Sequence, residues 1–159
     1  MAATTDVQGE TASNILKELR SEDVMTLCTM NLNLRPHLSV VYYSVSDAFE
    51  LFFITKVKTN KHKHLQINPN VTALVYEEKR QLSIQITGTA HAEEPSDETH
   101  DMLEKVFEKA SKHNFNAPPI AKLWAGGFVM YKIKPSTITM ALFTRPQAGG
   151  YDMFEAINF

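Results

Sequence analysis

Residues 52–70 read FFITKVKTNKHKHLQINPN, and the order of features along them sets the organisation of the chain around them. Phe52 to Thr55 is aromatic and β-branched, the composition of a strand. Thr59 then precedes Lys61, His62, Lys63, His64 and Leu65, and the pair Asn68-Pro69 stops a helix begun near Thr59 after about two or three turns. Lys56, Lys58, Lys61 and Lys63 all fall in this stretch, although the whole chain has a formal net charge of −2. The positive charge is a local feature, and a local function has to account for it.

On the N-terminal side, VMTLCTMN, PHLSVVYYSV and FELFFIT are strand-like and separated by the short polar turns NLNLR and SDA, which predicts an antiparallel meander. Ahead of it TASNILKELRSED places Ile15, Leu16 and Leu19 on one helical face, with Ser13 available as a cap. On the C-terminal side VTALVYEE and QLSIQITGTAHAEE are two more strands joined by the charged turn EKR. The segment SDETHDMLEKVFEKASKHN spaces Met102, Leu103, Val106, Phe107 and Ala110 as one helical face behind Ser96 as N-cap. GGFVMYKIKPSTITMALF is expected as a sixth strand that bends or breaks near Pro135 and continues as a seventh. Many short strands around one long helix, with little βαβ alternation, indicate α+β with an antiparallel sheet curled into a small barrel, since closure removes sticky edges. The expected divisions are a flexible tail over 1–11, one domain over 12–144 and a C-terminal tail over 145–159.

A length of 159 residues, 43% of them hydrophobic and 21% charged, suits one domain with a proper core. Cys28 is the only cysteine, which excludes an intramolecular disulfide and a cysteine-based zinc cage and fits a reducing compartment. The N-terminus lacks the basic and apolar regions of a secretory signal, and no apolar run approaches the roughly 18 residues of a membrane helix. A cytoplasmic protein with no membrane partner is expected.

Most catalytic patterns are missing. His62 and His64, two apart, point to nearly opposite sides of a helix, whereas paired metal ligands need a spacing of three or four. There is no G-x-S-x-G elbow and no phosphate loop of the G-x-x-x-x-G-K or G-x-G-x-x-G type. Glu77-Glu78 and Glu93-Glu94 sit at strand ends, as solvated turns do. What is left is Thr55, Lys56, Thr59, Asn60 and Lys61, where hydroxyls, helix-start N–H groups and ammonium groups make a site for a phosphate. The competing readings of the same lysines are a solvated helix face and a surface for single-stranded nucleic acid; the net charge argues against the second. Lys58, Lys63, His62 and His64 are expected as solvated surroundings of the cup.

A strand ending FFIT, then KVKTNK, then LQINPNVTAL, resembles the pyridoxamine 5′-phosphate oxidase-like family of FMN-binding split barrels, in particular its general-stress-protein branch. RPHLSVVYYSV, QLSIQITGTAH and LWAGGFVMYKIKP extend the resemblance over about Ile15 to Leu142. It implies an α+β split β-barrel of six to seven strands with flanking helices, binding FMN as a homodimer with the flavin at the interface. Thr55, Thr59 and Lys61 are then assigned to the FMN phosphate, with Lys56 substituting for the Arg that the fuller motif carries where Asn60 stands. Phe53 and Ile54 would flank the ribityl chain and ring, and Ser39, Val40 and Val41 would present strand backbone to the isoalloxazine. Ser83 and Gln85 would reach the cofactor from a neighbouring strand, and Trp124 would approach the partner's flavin. The family's oxidases end in an Arg-x-His segment that grips the substrate phosphate, whereas this chain ends FTRPQAGGYDMFEAINF, which argues against vitamin B6 oxidation. The resemblance therefore implies an FMN-dependent oxidoreductase of unknown substrate; the alternative is a non-catalytic flavin or haem binding or sensor protein, with His37 or His91 ligating the haem.

Overall fold

The structure is a computed structural model, and it describes residues 2–112, 127–144 and 154–159, with side chains from Gly9 onward. Helix α1 spans Ala2–Ser21 and is followed by strands β1 (Val24–Met30), β2 (Pro36–Val45) and β3 (Leu51–Lys56). The short helix α2 (Asn60–Leu65) leads to β4 (Asn70–Glu77) and β5 (Leu82–Glu93), then α3 (Asp97–Ser111), β6 (Phe128–Leu142) and β7 (Phe154–Asn158). All pairings are antiparallel in the order β3-β2-β1-β4-β5-β6-β7, and β3 also pairs with β6, so the first six strands close into a barrel. This is the α+β barrel that the strand pattern predicts.

The strand β6 does not break at Pro135. Its first half, Phe128 to Ile133, closes the barrel against β3, and its second half, Thr137 to Ala141, carries β7. At the changeover Gly88 opposes Pro135 and Thr87 opposes Thr137, leaving Ser136 as the extra residue of a β-bulge. Proline is tolerated there because the ladder is already interrupted. Ser136 secures the bulge by donating its hydroxyl to Thr87 O at 3.0 Å and accepting Phe159 N–H at 3.0 Å. The seventh strand is therefore not the end of β6 but a segment of the expected C-terminal tail. The expected N-terminal tail is helical from Ala2, so Ser13 lies within α1 instead of capping it.

Barrel interior and helix contacts follow from strand alternation. Leu27, Tyr43, Phe53, Val75, Ile84, Ile86 and Ile133 fill the inside, joined at one end by Ile15 and Leu19 of α1 and at the other by Leu65 of α2. A second cluster of Phe52, Met102, Leu103 and Met130 seats α3 on the outside of β2 and β3, where Ser44 Oγ donates to Met102 O at 2.8 Å. With both faces covered, β3 reads as the unbroken apolar run Leu51-Phe52-Phe53. Among the described residues no helix is long and apolar enough to cross a membrane.

Candidate functional site

Thr55 is the last buried residue of β3, and its Oγ1 lies 2.9 Å from Thr59 Oγ1. Thr59 is the N-cap of α2: its hydroxyl accepts His62 N–H at 3.4 Å and donates to Lys56 O at 2.8 Å. A hydroxyl has one proton, so Thr55 is the donor in the Thr55–Thr59 pair. A phosphate oxygen arriving at this corner can accept the Thr55 hydrogen bond in place of Thr59, at the expense of that single bond. The sequence expectation of a cap at Thr59 and a stop before Pro69 is met by a helix ending at Leu65, with Gln66 as C-cap.

The burial of Leu65 orients the rest of α2. At 3.6 residues per turn, Lys61 and His62 fall about 40° and 60° to either side of it, and Lys63 falls about 160° away. Lys63 is accordingly exposed, as is Lys58 in the turn before the helix, whereas Lys61 is half-buried and burial lowers its pKa. Among the described residues Lys61 has no carboxylate partner. The expectation that His62 and His64 are solvated is corrected. His62 Nδ1 lies 2.8 Å from Tyr131 OH and His64 Nδ1 lies 3.0 Å from the buried Thr29 Oγ1, because flanking Leu65 turns both rings onto the barrel end.

Thr55, Lys56, Thr59 and Lys61 line one cavity of about 280 Å³ together with Val40, Val41 and Ile54. Its remaining wall is Tyr42, Phe128 and the α3 residues Val106, Phe107 and Ala110, none of which the sequence nominates as site residues. Helical spacing puts the three α3 residues on one packed face; Phe107 and Phe128 do pack against the second cluster, but as partly buried members. Lys56 is exposed, with Nζ 5.8 Å from the centre of the Phe128 ring. The cavity thus combines hydroxyl and ammonium groups with an apolar wall, the arrangement that holds an amphipathic anion.

Other nominated residues lie elsewhere. Phe53 is fully buried inside the barrel, stacked on Tyr131 with ring centroids 5.5 Å apart, so its side chain does not face the cavity; Ile54, one residue on, does. Asn60 is exposed at the first position of α2 and is not part of the cavity wall. Ser39 also lies outside the wall, and its Oγ is buried without a hydrogen-bond partner among the described residues. Ser83 and Gln85 sit on the outer face of β5 beside Ala141 and Thr139 of β6. Trp124, like His113 and Arg145, lies outside the described residues. No group of three or more His, Cys, Asp or Glu among the described residues is placed to hold a metal ion. A larger cavity, of about 580 Å³, is bounded by Cys28, Thr72, the Gly88–Pro135 bulge and Phe159. It has Lys134 alone for a cation and no strand-end hydroxyl pair, so the smaller cavity is the better anion site.

An antiparallel six-stranded barrel with one added strand and a polar corner where its third strand meets a short helix defines the split-barrel class. The sequence profile described as pyridoxamine 5′-phosphate oxidase matches residues 12–141, and the chain belongs to that family. Among solved structures the chain is similar to General Stress Protein 26 from Bacillus anthracis str. Sterne, at 25% identity over 82% of this chain and 91% of that one, with a TM-score of 0.59. It also shares the fold of an FAD-binding protein from Mesorhizobium loti (20% identity, 81% and 90% covered, TM-score 0.62). The same holds for HutZ, the haem storage protein of Vibrio cholerae (16% identity, 77% and 88% covered, TM-score 0.60). No curated protein sequence matches the chain.

Proposed function

We propose that the chain is an FMN-binding flavoprotein whose phosphate cup is formed by Thr55, Lys56, Thr59 and Lys61. The observation that carries this reading is the half-buried Lys61 ammonium without a carboxylate partner, in one cavity with two threonines and Lys56. The donor set fits a phosphate: one hydroxyl proton that can be redirected, two ammonium groups and no competing acid in the wall. When bound, the flavin supplies hydride- or electron-transfer chemistry, and the protein supplies position and electrostatics. Thr55 and Lys61 hold the anion, Val40, Val41 and Ile54 present β2 and β3 to the ligand's body, and Phe107 and Phe128 exclude water from the far wall. The activity that follows is that of an oxidoreductase, with no side chain assigned to bond breaking.

Two copies are part of the same reading. Leu38, Val40, Leu74 and Tyr76 leave 66, 66, 40 and 61% of their surface exposed. The register sets Val40, Thr26, Leu74 and Gln85 in one row across β2, β1, β4 and β5. Covering this face with a second copy removes an exposed apolar patch and brings Ser83 and Gln85 toward the neighbour's cofactor.

The purified protein's absorption spectrum is the first test: a flavin spectrum is expected, and a haem spectrum would establish the haem-binding reading in its place. FMN titration followed by flavin fluorescence is the second. Lys61→Ala and Thr55→Ala should each weaken binding about tenfold or more, as loss of a hydrogen bond to a charged group does. Lys58→Ala and Lys63→Ala should leave it within about twofold, the scale of an exposed charge. Equal affinity in all four variants would remove the phosphate assignment.

A further inference from the structure

Strand directions gather two segments at one end of the barrel. The strand β1 runs into the loop Asn31–Arg35 and β2 returns from it, while β3 ends, α2 lies across the opening and β4 begins at that same end. Segments 31–37 and 56–70 together contain Arg35, Lys56, Lys58, Lys61 and Lys63 and no aspartate or glutamate, in a chain with eighteen acidic residues. Lys56 and Lys61 belong to the cup; Arg35, Lys58 and Lys63 are exposed and have no ion-pair partner among the described residues. By the same directions β5 ends on this side with Glu93, which pairs with Lys132 at 3.3 Å and is followed by the exposed Glu94, while the acidic first turn of α3 starts one turn from Met102, which is bonded to Ser44 near the far end of β2.

The same end carries apolar side chains held in water. Leu32 and Leu34 are 74% and 69% exposed, and Val57 and Ile67 are exposed beside α2. The loop that presents the two leucines is ordered. Asn31 Oδ1 accepts Asn33 N–H at 2.9 Å and Arg35 N–H at 3.0 Å, and Leu34 N–H donates to Asn31 O at 3.0 Å. Leu34 has φ 58°, a left-handed conformation that side chains other than Gly, Asn and Asp rarely adopt. A strained backbone that projects a leucine outward among unpaired cations needs a partner offering both an apolar interior and negative charge.

We propose that this end of the barrel docks on anionic lipid surfaces, with Leu32 and Leu34 entering the boundary between headgroups and acyl chains while Arg35, Lys58 and Lys63 lie among the headgroups. Aliphatic side chains suit an acyl boundary, and segments 31–37 and 56–70 contain no Phe, Tyr or Trp on which single-stranded nucleic acid could stack. The expectation of no membrane partner considered only spanning segments, and peripheral contact through loop tips needs none.

Co-sedimentation with vesicles tests the proposal on the full chain. Binding is expected to vesicles of equal parts phosphatidylcholine and phosphatidylglycerol, to be absent with phosphatidylcholine alone, and to fall as salt is raised. Replacing one cation, Lys58→Gln or Lys63→Gln, should weaken binding about fivefold, the contribution of one basic residue near an anionic surface. Leu32→Ser/Leu34→Ser should abolish sedimentation while leaving FMN affinity and thermal unfolding unchanged, which separates this surface from the cup and from folding. Failure of the unmodified protein to sediment at low salt overturns the proposal, as does equal binding by the leucine variant. A leucine variant that turns a lipid-free dimer into a monomer overturns it in favour of a second copy of the chain. Oligonucleotide binding that ignores the leucine changes overturns it in favour of nucleic acid.

Discussion

Replacing Gly88 by alanine is expected to be one of the most disruptive single-methyl changes in the barrel. A Cβ built at Gly88 runs into Lys134 O and meets Pro135 Cα at 2.8 Å and Lys134 C at 2.9 Å, where ordinary contacts begin at 3.4 Å. All three atoms are main chain of the neighbouring strand, so no side chain can swing away, and relief requires β5 and β6 to separate at the bulge. Overpacking a core costs about 1–3 kcal/mol and more where backbone must shift, and interstrand hydrogen bonds at about 1 kcal/mol each are strained with it. About 3 kcal/mol or more is the expected loss, equivalent to a Tm lower by roughly 6–12 °C for a chain of this size. Thermal unfolding followed by circular dichroism measures it. Gly9→Ala is the control: nothing lies within 4 Å of its Cβ and it sits in α1, so a gain of about 0.5–1 kcal/mol is expected. A Gly88→Ala protein melting within about 2 °C of the unmodified one would refute the close approach of β5 to β6.

Burial lowers the pKa of Lys61, so in the alkaline range where the free amine loses its proton phosphate binding must take one up, and FMN affinity should fall with rising pH at a lower pH than for an exposed lysine. Titrations at a series of alkaline pH values should show this slope in the unmodified protein and not in Lys61→Arg; equal slopes would refute it. Burial lowers Lys109 to about 8, while its Nζ donates to Glu22 O at 2.6 Å and sits 4.4 Å from the centre of the Tyr43 ring. Between about 8 and the ordinary 10.5 the unfolded chain holds a proton that the folded one has released, so stability should rise with pH there relative to Lys109→Met, measured by urea unfolding. Ser96→Ala removes a capping box in which Ser96 Oγ accepts Thr99 N–H at 3.2 Å and Thr99 Oγ1 accepts Ser96 N–H at 2.6 Å. A loss of about 1 kcal/mol, read from the Tm, is expected.

Features governed by neighbours in sequence were legible from the sequence. The Thr59 cap, the stop before Pro69 and the Ser96 cap are local chemistry, and alternation within strands is enough to bring out a barrel. Features governed by a distant strand were not. Pro135 looks like a break because the glycine that accommodates it, Gly88, lies on β5, and only the pairing shows that β6 changes partners there. Phe52 and Phe53 are equally apolar, and the placement of α3 decides which of them faces the barrel interior. Leu65 alone, one buried residue at the end of α2, separates Lys61 from Lys63 and turns both histidines inward. β7 is five residues with an alternating exposed and half-buried pattern, a signal too weak to stand out at the chain end.

Closure of the barrel rests on a single seam, the six residue pairs from Leu51–Ile133 to Lys56–Phe128. The candidate cavity straddles the last of those pairs, with Lys56 on one lip, Phe128 on the other, and β2 and α3 behind. A ligand seated there bridges the two strands whose separation would open the barrel, and stabilises only the closed form. Amide exchange in residues 51–56 and 128–133 is therefore where ligand binding should be felt first, slowing as the site fills.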